Sequence, residues 1–292
     1  ALHLDAVGRH RRILPRTHRF CGAERVLAAR IDTQIVGKPE RDSGFGYDRA
    51  MTTDIDLMDH RINRLGSALP FHPVSLETAA AAGIDDAVVL YAGGRAGAMG
   101  DVTAAQVQSA FGFFSPSIIE LIWPTVVATA TPTHINAVYL DALAAAARAS
   151  WPEDAATVLT TIGRDVIEAA PLFGLALFSA WRGLPLPADA HGSAGIVVEV
   201  LRELRGDVNL QSVALSGMSP LEADLATSGE DRVKLHGWAP PYPEVSHLAD
   251  AVAAAEAQTA RRMREIYGRV DAGKVAALAE AVATLTEVSG AT

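Results

Sequence analysis

The chain has 292 residues, of which 49% are hydrophobic and 20% charged, so it can bury a sizeable core and is not globally disordered. The net charge of −9 divides into +4 for residues 1–50 and −13 for residues 51–292. This balance disfavours a broad nucleic-acid-binding surface, although it leaves a local basic face open. Cys21 is the only cysteine, which excludes an intramolecular disulfide and makes a reducing cytoplasm the expected location.

The composition predicts an all-α fold. Alanine is abundant, which favours helices, and the alternating β-branched runs that are typical of strands are nearly absent. No apolar run reaches the roughly 18 residues that span a bilayer, and no secretory signal pattern is present. We therefore expect no membrane partner.

Three regions are predicted along the chain. Residues 1–50 are arginine-rich with little apolar periodicity, which indicates a disordered tail or a mis-assigned start upstream of Met51. The alternative for this segment is a basic arm that contacts nucleic acid. The proline-containing connector 184–187 divides the remainder into a helical domain with a candidate pocket, residues 51–187, and a degenerate helix-turn-helix-like helical domain, residues 188–292.

The first domain is predicted to be a series of helices with recognisable starts and stops. From residue 54, apolar residues recur every three or four positions until Pro70, and a second helix is expected between Pro73 and Gly83. Further starts are predicted at Asp85 or Asp86, at Asp101 or Thr103, at Ser115 and at Thr133, and Pro124 is expected to end the helix that follows Ser115.

The second domain is predicted to begin with a helix that ends near Gly206. Two short helices ending in glycine follow, then the proline-rich loop 236–245 and two long helices. The segment 208–253 has the order of a helix-turn-helix unit. It presents acidic residues such as Glu244 and Asp250 where a major-groove reader presents Arg, Lys, Asn or Gln, so it is a poor reader of DNA.

One helix in the first domain has the residues of a polar binding site. Tyr91 and Arg95 are four positions apart and share a helical face, and three nearby glycines would let a ligand or another helix approach. The arginine offers a planar fork of donors for a carboxylate or phosphate. The alternative is a structural Arg95 paired with an acid such as Asp101 or Glu120, with Tyr91 as an ordinary core residue.

Three further residues are candidates for the same site. His72, in the kink between Pro70 and Pro73, could be a ligand or a general base, and more often such a histidine is satisfied by backbone groups. Phe111 and Phe114 are expected in the core, or as the wall of a pocket for an apolar or flat ligand.

The sequence offers no motif that fixes a reaction. No histidine or cysteine pair has metal-ligand spacing, no serine lies in a nucleophile elbow, and the glycines near Arg95 are followed by no P-loop lysine. We therefore expect no metal and no cofactor, and an enzyme is the less favoured class.

Six segments occur in an order and spacing that resemble a known family: 69–77 (LPFHPVSLE), 90–100 (LYAGGRAGAMG), 111–116 (FGFFSP), 177–185 (LFSAWRGLP), 201–207 (LRELRGD) and 236–238 (HGW). Together they resemble an actinobacterial helix-turn-helix family, with a match from about residue 56 to 292. The resemblance implies a helical N-terminal region followed by a winged-helix-like region. Asn209 stands where the family usually has histidine, and no turn and strand pair follows the last segment, so the wing is expected to be missing.

Four functions follow as hypotheses. The leading one is a regulatory or accessory protein that holds a small ligand on the Tyr91 and Arg95 helix face. The others are a DNA-binding regulator of winged-helix type, an enzyme with His72 as base and Arg95 orienting an acidic substrate, and a purely structural helical protein. The sequence leaves the oligomeric state open, with a dimer among the options.

Overall fold

The structure is a computed structural model that describes residues 54–290, and within that range the chain forms twelve α-helices and no strand. The predicted all-α class is confirmed. The predictions made for residues 1–50 lie outside the described residues. The helices are α1 (Asp54–Ala68), α2 (Pro73–Ala81), α3 (Ala87–Gly97), α4 (Ala104–Phe111), α5 (Pro116–Thr129), α6 (Pro132–Ser150), α7 (Glu153–Ala169), α8 (Ala176–Trp181), α9 (Ala190–Leu215), α10 (Pro220–Leu235), α11 (Ala249–Tyr267) and α12 (Ala272–Val288).

Local capping chemistry explains most helix starts. Asp86 accepts hydrogen bonds from two backbone N–H groups at the start of α3, and Ser115 caps α5 with Pro116 in its first turn. Thr103 and Gln106 form a reciprocal capping box at the start of α4. These starts were predicted from the sequence and are confirmed.

Two predicted helix limits in the first half of the chain are wrong. Pro124 lies inside α5 and does not end it, because buried residues on both sides, Trp123 and Val126, keep the helix packed although proline lacks an N–H. Helix α6 is capped by Thr131, not by Thr133, with Pro132 as its first residue.

The predicted end near Gly206 is also wrong, since α9 continues through this glycine for 26 residues. A glycine inside a helix costs about 1 kcal/mol relative to alanine. Helix α9 buries residues on nearly all sides, and this burial outweighs the local preference. Of the two glycine-ended helices predicted after it, the first is the last part of α9. The second has a partial counterpart, because α10 leaves helical geometry at Gly229 (φ 77°, ψ −178°) and then resumes.

Helix α9 is the centre of the molecule. It packs against α1, α6, α7, α8 and α11, and one hydrophobic core includes residues from Met58 in α1 to Leu285 in α12. Residues from both sides of the connector 184–187 contribute to this core. The division of the chain into two domains at residue 187 stays a prediction. Within residues 54–290 no helix is long and apolar enough to cross a membrane.

A second, smaller core holds the predicted helix-turn-helix-like region together. Val213 at the end of α9, Met218 in the following turn, Ala223 in α10 and Ala255 in α11 form a separate buried cluster. Phe113 packs against this cluster from the turn between α4 and α5. The end of α9, α10 and α11 thus form a unit that also contacts the first half of the chain.

The glycines of α3 permit its close packing on α6. A side chain at Gly97 would collide with the backbone of Pro132, and one at Gly94 would overlap the ring of Tyr139. The predicted approach of another helix is therefore correct. Because α3 is held against α6 in this way, the face of α3 that bears Tyr91 and Arg95 is directed towards α9.

Candidate ligand cavity and its charge network

Tyr91 and Arg95 lie on one face of α3, as predicted. Arg95 Nη1 donates a hydrogen bond of 2.9 Å to the Tyr91 hydroxyl, and only 8% of Arg95 is exposed. The Arg95 guanidinium also lies over the ring of Phe111, 4.5 Å from its centroid. The arginine is therefore buried between aromatic rings and needs a carboxylate partner.

That partner is Glu203 of α9. Arg95 Nε donates to Glu203 Oε1 at 2.6 Å and Nη2 donates to Oε2 at 2.9 Å, a bidentate pair. Glu203 is 1% exposed, so the pair is buried on both sides. The structural interpretation of Arg95 correctly included an acidic partner, but Asp101 and Glu120 were the wrong candidates.

A second arginine, Arg202, completes the network from the position before Glu203 in α9. Its Nη1 donates to Glu199 Oε1 at 2.8 Å, its Nη2 to the Tyr91 hydroxyl at 3.1 Å and its Nε to Ser67 Oγ at 3.0 Å. The Tyr91 oxygen thus accepts hydrogen bonds from both arginines. We call Tyr91, Arg95, Glu199, Arg202 and Glu203 the charge network.

Burial and the opposite charges act against each other in this network. Burial raises the pKa of Glu199 to about 7, although Arg202 opposes the shift. For Glu203 burial also raises the pKa, but the attraction and hydrogen bonds of Arg95 outweigh it and the pKa is lowered. Burial would likewise raise the pKa of Tyr91, and the two arginines outweigh burial and lower it.

An aromatic wall adjoins the charge network. Phe71 lies 5.4 Å from the Tyr91 ring, Tyr91 lies 6.4 Å from Phe114, and Phe111 lies 5.6 Å from Phe114, all measured between ring centroids. The His236 ring lies 4.5 Å from Phe114. These tilted contacts are typical of aromatic clusters and fix the ring positions.

Two cavities meet at this wall. The main cavity has a volume of about 940 Å³, and the apolar pocket beside it has a volume of about 100 Å³. Cavities of roughly 300–1,000 Å³ are typical of small-molecule sites. The residues that line both are Ser67, Tyr91, Phe111, Phe114, Arg202, Arg232 and His236.

The helix-turn-helix-like unit supplies one side of the main cavity. Asp224, Arg232 and His236 of α10 and its C-terminal turn line it, opposite α1, α3 and α9. His236 Nδ1 lies 2.6 Å from Asp224 Oδ2, a contact that holds the histidine ring against Phe114. The kink at Gly229 lies between Asp224 and His236 in the chain.

The structure brings together four of the five predicted site residues: Tyr91, Arg95, Phe111 and Phe114 line the main cavity. His72 lines neither cavity. It is the N-cap of α2, where its Nδ1 accepts a hydrogen bond from the Val74 N–H at 3.2 Å. The arrangement gives the hypothesis of His72 as a base no geometric support.

Sequence reasoning missed Glu199, Arg202 and Glu203. A signal was present, because they lie three and four positions apart within an apolar helix and so form a charged stripe on a face that is buried. Charges on such a face need partners, and Tyr91 and Arg95 were the polar residues elsewhere in the chain that still lacked a partner in the prediction.

Within residues 54–290 no group of three His, Cys, Asp or Glu side chains is arranged to hold a metal ion.

The fold and site define an all-helical protein whose buried charge network and cavity are closed on one side by a helix-turn-helix-like unit. The chain belongs to the Helix-turn-helix family, whose model matches residues 56–245. The match ends in the loop before α11, so the resemblance covers less than the predicted range to residue 292. A search of curated proteins and a search of solved structures each gave no significant match.

Proposed function

We propose that this protein is a DNA-binding regulator of the helix-turn-helix class, and that its cavity holds a small ligand. The family match supports the first part, because it spans α1 to α10 and includes the turn between α9 and α10. The separate small core of this region supports it too, since a helix-turn-helix unit needs a fixed angle between its helices.

The exposed side of α10 is where DNA contact would be made. Lys234 is 46% exposed and its ammonium lies 3.0 Å from the Glu230 carboxylate. A solvent-exposed pair of this kind contributes little to stability, so Lys234 can exchange its partner for a DNA phosphate. Arg232, two positions before it, lines the cavity from the same helix.

Salt-dependent binding to DNA is the experiment that tests this function. We expect fluorescence anisotropy with a labelled duplex from upstream of the protein's own gene to show affinity that falls as salt rises from about 50 to 200 mM. Lys234→Gln should weaken binding to all duplexes and reduce the slope of log K against log salt by about one.

Lys274 provides the matched control. It is 53% exposed and its ammonium lies 2.7 Å from the Asp165 carboxylate, but it belongs to α12 and lies outside the family match. Lys274→Gln should leave the affinity and its salt slope unchanged. Absence of any salt-sensitive binding at about 50 mM salt would refute the DNA-binding function.

The cavity supports the ligand part of the proposal. Its volume of about 940 Å³ lies in the range of small-molecule sites, and the aromatic wall and the polar groups of the charge network converge on it. Because α10 forms part of the wall, a bound molecule would contact the same helix that carries Lys234. This shared helix is how a ligand would change DNA affinity.

A further inference from the structure

The chemistry of the two cavities indicates what kind of ligand they accept, an inference that rests on the proposed ligand role of the cavity. The apolar pocket is walled by Phe71, Phe111, Phe114, Ile118 and Ile122. Its 100 Å³ is about two-thirds of the roughly 150 Å³ in which a dry engineered cavity binds benzene. A ring or branched alkyl group would therefore enter it and leave one edge in the main cavity.

Polar groups gather where that edge would lie. The Tyr91 oxygen accepts two hydrogen bonds, from Arg95 and Arg202, but its own O–H hydrogen has no acceptor among the described residues. A tyrosine hydroxyl can donate as well as accept, so the half-buried Tyr91 offers this hydrogen as a donor. Tyr91 lines both cavities, so an acceptor atom of a ligand can complete its hydrogen bonding.

Arg202 offers a second donor at the same place. Of its five N–H groups, Nε donates to Ser67, Nη1 faces Glu199 and Glu203, and one hydrogen of Nη2 is used by Tyr91. The second hydrogen of Arg202 Nη2 takes part in none of these hydrogen bonds and can be donated to a ligand. Two neighbouring donors match the two oxygens of a carboxylate, whereas a phosphate with three oxygens and nearly two charges would remain undersatisfied.

The charge of the site favours an anion over a cation. The network contains Arg95 and Arg202 against Glu199 and Glu203, and burial raises the pKa of Glu199 to about 7, so this carboxyl group is partly protonated near neutral pH. The network then carries a fractional positive charge. An anionic head group compensates that charge without a further ion.

We propose that the site binds an apolar carboxylate, with its ring or branched alkyl body in the apolar pocket and its carboxylate on the Tyr91 hydroxyl and Arg202 Nη2. The remaining part of a larger acid would extend into the main cavity beside His236.

Calorimetric titration of the full chain with 3-phenylpropionate and with its neutral amide tests this assignment. The acid should bind saturably and at least tenfold more tightly than the amide, because only the acid forms charge-assisted hydrogen bonds with both donors. Tyr91→Phe should remove most of this difference in affinity between the acid and the amide. Tyr242→Phe, on the loop after α10, is the matched control and should leave it unchanged, since its hydroxyl donates to the Trp238 carbonyl.

A second variant tests the site without altering the charge network. Ile122→Phe adds volume to the apolar pocket and should abolish binding of both acid and amide. Equal affinities for acid and amide would overturn the carboxylate assignment but leave the ligand cavity standing. Saturable binding that Ile122→Phe leaves unchanged, or no binding of either probe, would overturn the site itself, while the DNA experiment above decides the regulator function separately.

Discussion

The pair of Arg95 and Glu203 permits a quantitative test of what holds the site together. Arg95→Met keeps most of the side-chain volume but removes the charge, which leaves Glu203 buried at 1% exposure without its bidentate partner. Removing one partner of a buried ion pair typically costs about 3–5 kcal/mol. Arg202 Nη1 remains 3.5 Å from Glu203 Oε1 and offsets part of the charge. We therefore expect Arg95→Met to lower the free energy of unfolding by about 3 kcal/mol.

Replacing both partners should be much less harmful than replacing one. In Arg95→Met with Glu203→Leu, no uncompensated charge remains, and apolar pairs often substitute for buried ion pairs with little loss of stability. We expect the double variant to recover about 2 kcal/mol of the loss, which is within the range of coupling between contacting residues.

Urea unfolding of the wild-type protein, both single variants and the double variant measures this coupling as shifts of the midpoint at constant m value. Two results would refute the argument. One is a loss below about 1 kcal/mol in Arg95→Met, because the pair would then not be buried in solution as the structure has it. The other is a double variant as unstable as the single one, because the uncompensated charge would then not be the cause.

Two further predictions concern pH and helix packing. Because burial raises the pKa of Glu199 from the usual 4.5 to about 7, this group binds more protons in the folded protein than in the unfolded chain between these values, and its contribution to stability should fall by roughly 3 kcal/mol as pH rises through this window, in addition to the fall from Asp207, whose pKa burial also raises to about 7. Urea midpoints between pH 4.5 and 7.5 measure the fall, and an equal slope in Glu199→Gln would contradict this cause. In thermal unfolding, Gly97→Ala should lower Tm, because its new methyl group collides with the Pro132 backbone, whereas Gly206→Ala, with open space beside it, should raise stability by about 0.5–1 kcal/mol. A similar effect of both glycine substitutions would show that the close approach of α3 and α6 is not what matters.

Local chemistry determined much of the fold. The caps at Asp86, Thr103 and Ser115 are satisfied by backbone groups within three residues, so they operate in any tertiary context and were predicted correctly. The hydrogen bond between Tyr91 and Arg95 has the same origin, because residues four apart on a helix are neighbours.

Helix limits were wrong where burial competes with local preference. Gly206 and Pro124 each favour an end to their helices by about 1–3 kcal/mol. Helix α9 continues because it packs against several other helices, and α5 continues because it packs against α3 and α4. Each fully buried large side chain contributes about 1.5–3 kcal/mol. This contribution depends on neighbours that are distant in the chain.

The site itself combines both origins. The sequence by itself determined that Tyr91 and Arg95 share a helical face and that Arg95 needs an acid or a ligand, since both facts follow from helical geometry and the charge of a guanidinium. Only the tertiary structure decided which acid, because Glu203 lies 108 positions away and is brought to Arg95 by the packing of α9. It also placed His72 at a helix cap and α10 against the aromatic wall, since a cavity is formed by the space left between packed helices and has no signature in any one of them.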